Sequence, residues 1–336
     1  MKLMMIGNWL YPVYEAAMTQ GFENNKCEVI KFNLLENGAP AINTLSYRLR
    51  LKKSLARVNA RLLNQARIDR PDVIFLYRGI EVLPSTLKAI RDQLPEVKIV
   101  LYHNDDPYGS LWGRMRSRHY LKSHPLADVV AVYRPVNVAD ATKFGAKRVE
   151  LLMSSFTQGE HYPSDAACSR DVIFVGHYED DGRLELIRSL VDAGVQIEVF
   201  GDSWGAVADL HPWLDNVVNK SVWGSNYGNI LRQSRICLGL LSRRNRDVYT
   251  RRCFEIPACG SVLVAPRTRF LAQLFREDEE AVFFSSPEEL VRKITGLLAD
   301  TERCDEIARR GYERVIKDKH DETGRASEVL GWISAE

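Results

Sequence analysis

Short apolar runs, rich in β-branched residues and each ending abruptly in a glycine or a polar residue, recur along the chain. In the first half they are 3–6 before Gly7, 73–77 before Arg78 and Gly79, 99–102 before His103, and 129–133 before Arg134. In the second half they are 172–175 before Gly176, 197–200 before Gly201, 236–241 before Ser242, and 262–265 before Pro266. Uninterrupted apolar runs of this length suit strands buried on both faces, as in parallel sheets. Helical spacing fills the stretches 51–68, 85–93, 184–193, 287–298 and 304–315. Strand and helix alternating in this way predict βαβ units wound right-handed into a doubly wound sheet. The pattern occurs twice, divided by a polar linker over 154–170, which puts the boundary near residue 160. The expected fold is therefore α/β, with two Rossmann-like domains, 1–160 and 161–321, facing a cleft. A C-terminal helix at about 322–336 can pack back on the first.

Composition narrows the class. The chain has 336 residues, 45% hydrophobic and 27% charged, with a net charge of +2, so its bulk charge calls for neither nucleic acid nor an anionic membrane. No apolar run approaches the roughly 20 residues of a membrane span. The first residues turn polar too soon for a signal peptide, and the expected location is cytoplasmic. Six cysteines form no CxxC pair and no zinc-ligand spacing with histidine, so they read as free thiols in a reducing compartment. Basic residues crowd 48–53, Arg57, Arg61, Arg67 and Arg70. A solvated helix face explains them most simply. Contact with an anionic lipid or an acidic glycan is the functional alternative.

Ligands of open parallel sheets bind beyond the carboxyl ends of the strands, so chemistry is sought where the apolar runs stop. In the first domain, Gly7 and Asn8 allow close backbone approach, and Arg78 and Gly79 follow the second run. His103, Asp105 and Asp106 form the densest polar cluster there, an imidazole and two carboxylates suited to acid–base chemistry near neutral pH. A polar turn capped by Asp before Pro107 is the plainer reading. A metal site is a weaker one, since adjacent side chains on an extended chain point apart. In the second domain, Gly176 and Arg183 bracket a strand-to-helix turn that could hold anionic oxygens, although Glu179, Asp180 and Asp181 must then cap the helix or point away. Trp204 could line the ligand site or be a buried core residue. Glu255 offers two acceptor oxygens to a ribose diol, and Arg252 shares its helical face, as a ligand contact or as an ion-pair partner. Gly260 lets that helix approach its strand closely. Tyr227 falls on a helix leading into the run at 236–241. No GxGxxG follows the first run, which argues against a nicotinamide dehydrogenase.

The segment Arg252-x-x-Glu255-x-x-Ala258-Cys259-Gly260, followed by a strand, resembles the donor site of family-1/4-like glycosyltransferases, closest to the CgeB-like spore-maturation branch. Phe270-Leu271-x-x-Leu274-Phe275, the run 281–284, the stretch 287–290, Gly311-Tyr312 and the closing His320…Arg325 continue the likeness over most of 171–330. The resemblance implies a GT-B fold and an enzyme that moves a hexosyl or related group from a nucleoside diphosphate sugar to a hydroxyl acceptor. A UDP-sugar is the favoured donor, and no metal or other cofactor is implied. The acceptor would be a glycan, a lipid-linked molecule or a protein, in polysaccharide or other cell-surface glycan synthesis. Larger retaining relatives carry two acidic residues separated by seven; Glu255 matches the second, and the shorter Asp247 stands at the first. The stretch at 220–224, with Val222, is similar to the one whose backbone frames the nucleobase, and His103 falls where relatives place a histidine against the donor sugar. Gly176, Arg183 and Arg252 would stabilise the leaving diphosphate. A sugar-nucleotide epimerase of the same fold and a non-catalytic nucleotide- or carbohydrate-binding protein are the competing readings.

Overall fold

The computed structural model describes residues 1–11, 13–39, 52–164 and 168–334. The chain divides into two compact units: Met1–Ser154 with the C-terminal helix Glu322–Ser334, and Ser155–Asp321.

The first unit is a six-stranded parallel sheet. Its strands are β1 (Lys2–Gly7), β2 (Glu28–Asn33), β3 (Val73–Tyr77), β4 (Lys98–His103), β5 (Val129–Val132) and β6 (Val149–Leu151), in the order β2-β1-β3-β4-β5-β6. β3 is buried at every position and β1 and β4 at all but the first, so their side chains enter apolar layers on both faces. One layer joins Ile6, Ile74 and Leu101 to Val58 and Leu62 of the helix Lys52–Asp69. That helix carries Lys53, Arg57, Arg61 and Arg67 on its exposed face, while Arg48 and Arg50 of the predicted basic cluster lie outside the described residues. β2 buries only Phe32 and leaves its other positions exposed or half-buried, because it is an edge strand paired only with β1. On the other face, the helix Glu15–Asn24 meets Glu322–Ser334. A Cβ on Gly21 would stand 2.1 Å from the Glu322 carbonyl oxygen, and Asn24 donates to Thr323 Oγ1 at 2.8 Å.

The second unit repeats the plan with β7 (Arg170–Val175), β8 (Ile197–Phe200), β9 (Val218–Asn219), β10 (Ser234–Leu238), β11 (Val262–Pro266) and β12 (Val282–Phe284), in the order β12-β11-β10-β7-β8-β9. All pairings are parallel. The strand order reverses beside the first strand of each sheet, between β1 and β3 and between β7 and β10. Crossovers there leave in opposite directions and open a crevice beyond the strand ends. The six cysteines are free, five of them buried.

Candidate functional site

At the switch point of the second sheet, Gly176 follows β7. Its N–H donates to Phe200 O at 2.8 Å, and its carbonyl accepts from Trp204 Nε1 at 2.9 Å. Glycine is required on both sides of this turn. A Cβ on Gly176 would stand 2.6 Å from the Phe174 ring, and one on Gly201 would stand 2.1 Å from Gly176 O. Trp204 is 1% exposed and packs edge-on against Phe174 and Tyr178. It is a strut beneath the turn, with its indole N–H already used, and it does not offer a face for stacking on a base.

Two guanidinium groups approach Phe174 from this turn. Arg183 lies 5.7 Å from the ring centroid and Arg252 5.8 Å. Their surroundings differ. Arg183 is buried; its Nε and Nη2 meet both oxygens of Asp181 at 2.7 and 2.5 Å, and its Nη1 donates to His177 O. Its charge is thus matched inside the turn, and Asp181 also accepts from the Arg183 N–H at the start of the helix Arg183–Asp192. The phosphate role expected of Arg183 is corrected accordingly: an acid two residues before it holds both the guanidinium and the helix N-terminus. Arg252 carries no ion pair among the described residues, and its Nη2 comes within 3.1 Å of where a Gly176 Cβ would stand. Arg252 is therefore an unmatched cation at the switch point, among the described residues.

Arg252 opens the helix Arg252–Ala258, which buries Glu255. The Glu255 carboxylate is paired by Arg251, four residues before it, rather than by Arg252. Its Oε2 accepts from Tyr227 OH at 2.7 Å, and His161 Nε2 stands 3.6 Å from Oε1. Burial alone would raise this carboxyl; Arg251, His161 and the Tyr227 hydroxyl more than offset it and hold it below the usual range. Gly260 takes φ of 74°, the left-handed turn that stops the helix, and its N–H donates to Pro257 O at 2.9 Å. Asp247 is half-buried in the turn after β10, and its N–H donates to Ser242 O. Val222 is half-buried between β9 and the helix Ser225–Arg232.

At the switch point of the first sheet, Gly7 ends β1. Glu15, buried at the start of the next helix, fills the space a Gly7 Cβ would take and accepts from the N–H groups of Asn8 and Trp9 at 3.0 and 3.3 Å. Burial raises its carboxyl, partly offset by those N–H donors and by Arg78. Arg78 has φ of 65° and Gly79 of 47°, so two successive left-handed residues turn the chain after β3 and send the Arg78 guanidinium to Asp105.

His103 ends β4. The Asp105 N–H donates to its Nδ1 at 3.1 Å, which leaves the ring proton on Nε2. Burial, joined by the charges of Arg78, Arg116 and Arg134, pushes the imidazole down to about 3 against the pull of Asp105. His103 is accordingly a neutral hydrogen-bond donor rather than a base. Asp105, which burial would raise, is held ionised by Arg78 and then by Arg134. The carboxylate Oδ1 of Asp106 accepts from Tyr108 N, Gly109 N and Asn137 Nδ2, each at 3.1 Å. That oxygen shapes the loop, and the acid–base role expected of Asp106 is corrected to a capping one. Asn8 Oδ1, Trp9 Nε1, His103 Nε2 and Asn104 Oδ1 are buried with no hydrogen-bond partner among the described residues. Among those residues no group of three or more His, Cys, Asp and Glu is arranged to hold a metal ion.

Sequence reasoning did not single out Glu15, Arg134, His161 or Arg251. Glu15 at a helix start was a readable signal, as anions favour that position. His161 sits in the polar linker, where no periodicity points to Glu255.

Residues 183–331 match the family described as glycosyl transferase-like. No curated protein matches the chain in sequence. Among solved structures, sucrose-phosphate synthase from Thermosynechococcus elongatus is similar at 12% identity and a TM-score of 0.67, covering 98% of this chain and 97% of that one. HepE of Anabaena, in complex with UDP and glucose, is similar at 13% identity and a TM-score of 0.67, over 100% of both chains. A UDP-N-acetylglucosamine 2-epimerase structure from Listeria monocytogenes, of 12% identity and TM-score 0.61, covers 99% of this chain and 96% of that one. Together these give the chain the two-Rossmann GT-B fold, with a glycosyl transferase-like sequence over residues 183–331.

Proposed function

We propose that the chain transfers a glycosyl group from a nucleoside diphosphate sugar to a hydroxyl acceptor, with the donor held at the switch point of the second sheet. The observation that carries this reading is Arg252. Its guanidinium has no acid partner among the described residues and lies against the Gly176 turn, within the stretch matched by the glycosyl transferase-like family. A departing diphosphate gathers negative charge, and a cation already fixed beside it lowers the barrier without reorganisation. Arginine suits this because its fork meets two phosphate oxygens at once. Glu255 is the ribose ligand in this proposal. Its oxygens already serve Tyr227 and Arg251, but a carboxylate has about four lone-pair sites. Val222 and Asp247 are assigned to the base and the transferred sugar. Arg183 and Trp204 keep the turn in shape. UDP is favoured because the HepE structure holds it.

The first unit takes the acceptor in this scheme. The neutral Nε2–H of His103 donates to a sugar or acceptor oxygen, and Asp105 accepts from the attacking hydroxyl.

Thermal stabilisation against UDP-, GDP-, ADP- and TDP-sugars tests the donor assignment. A UDP-sugar is expected to raise the melting temperature. Arg252→Ala should weaken that binding by roughly 10- to 100-fold, the worth of a hydrogen bond to a charged group. Tyr227→Phe should weaken it less. No shift with any of the four donors sinks the proposal, and conversion of a donor to its epimer without acceptor would replace it.

A further inference from the structure

The helix Leu111–Arg116 buries none of its residues. Leu111, Trp112 and Met115 on it are 68%, 62% and 53% exposed. A surface helix ordinarily turns its large apolar side chains to the core; this one turns all three to water. Arg114 and Arg116, interleaved with them, make no ion pair among the described residues. Along the chain the charge beside them is one-sided, between Asp106 and Asp128. Residues 107–127 contain Arg114, Arg116, Arg118 and Lys122 and no acid, in a chain with 44 Asp and Glu.

Topology puts this helix where it matters. It follows the carboxyl end of β4, and the strands are parallel, so it shares an edge of the sheet with the segment after β1, where Leu10 and Tyr11 are 44% and 45% exposed. His103 and Asp105 lie on the same edge, and the Arg116 charge acts on both.

We propose that this edge of the first unit docks on an anionic lipid bilayer, with the helix Leu111–Arg116 lying in the headgroup layer. Tryptophan, leucine and methionine gain from the boundary between headgroups and acyl chains, while arginines reach the lipid phosphates. A nucleic acid would satisfy the arginines and could stack on Trp112, but it would leave Leu111 and Met115 in water. Neither term holds a protein at a membrane alone; the two together do. The inference goes beyond glycosyl transfer and does not rest on it, though it places membrane-borne acceptors beside His103 and Asp105.

Vesicle sedimentation over a salt series tests it, with phosphatidylcholine alone and with phosphatidylcholine mixed with phosphatidylglycerol. The wild-type chain should bind the mixed vesicles, less so as salt rises, and not the neutral ones. R114A/R116A should weaken binding roughly 30-fold, at about the energy of two basic residues near an anionic surface. W112A should weaken it roughly tenfold. Leu210→Ala, at a site 77% exposed on the other unit, should change nothing. Neither W112A nor R114A/R116A removes a buried group, so the melting temperature should hold. Absent binding, equal binding to both vesicle types, or binding unaffected by both variants overturns the proposal. A dimer in light scattering that W112A dissociates also overturns it, giving the patch to a second copy. Vesicle binding is read without turnover, so it succeeds or fails separately from the transferase reading.

Discussion

His103 shows what burial does to a residue whose type alone suggests acid–base work. An exposed imidazole titrates near 6.5; here burial pushes it down to about 3, and the Asp105 N–H settles which nitrogen carries the proton. The folded-state value lies below the unfolded one, so on acidification the unfolded chain takes up the proton first. Stability should therefore fall as pH drops from about 6.5 toward 3, by up to about 1.4 kcal/mol per pH unit from this group. His124, pushed down to about 4 by burial, acts in the same direction. His103→Gln is expected to flatten the loss of melting temperature between about pH 7 and about pH 5. Parallel curves for wild type and variant would show that His103 is not buried neutral. The residue identities at 103, 105 and 106 were plain in the sequence, but their division of labour was not. It depends on which carboxylate meets Arg78 and which caps the loop.

Among the elements, the long apolar runs were legible because both faces of a central parallel strand are buried, and β1, β3, β4, β7 and β11 appear where the runs predicted them. β2 was missed for the same physical reason. As an edge strand it is half-exposed, and its sequence, EVIKFN, never forms an apolar run. The helix Arg252–Ala258 was identified by its residues, yet its partners were not. Arg251 rather than Arg252 meets Glu255, and Tyr227 arrives from another helix. The ends of β7 and β8 are in very close contact. A Cβ on Gly201 would fall 2.1 Å from a backbone oxygen, which no side-chain rotation relieves. Gly201→Ala should cost about 3 kcal/mol or more and lower the melting temperature by several degrees. A variant melting with the wild type would mean the two strand ends are further apart than described.

On the scale of the molecule, the last helix belongs with the first unit, although the whole second unit precedes it in the chain. Ala326 and Val329 are fully buried, and Arg325, 2% exposed, donates to Ser154 O at 3.0 Å. Ending the chain at Asp321 uncovers the face of Glu15–Asn24 that receives this helix. Loss of roughly 3 kcal/mol from the buried apolar side chains should follow, seen as earlier melting and as dye binding to exposed apolar surface. Unchanged melting of the truncated chain would show that the helix adds no stability. Among the described residues no helix is long and apolar enough to cross a membrane.

What the sequence determined by itself was periodic or compositional. Apolar runs and helical spacing dictated two doubly wound α/β halves, because each local choice of residue agrees with burial in a parallel sheet. The glycines, acids and arginines after each run marked where ligands could meet the chain. Only the tertiary structure decided which of those charges are matched. Asp181 answers Arg183, Arg251 answers Glu255, Trp204 is spent on the Gly176 carbonyl, and Arg252 has no acid beside the turn among the described residues. The reason is physical: an electrostatic role depends on distance and burial, and neither is carried by residue type or by spacing along the chain.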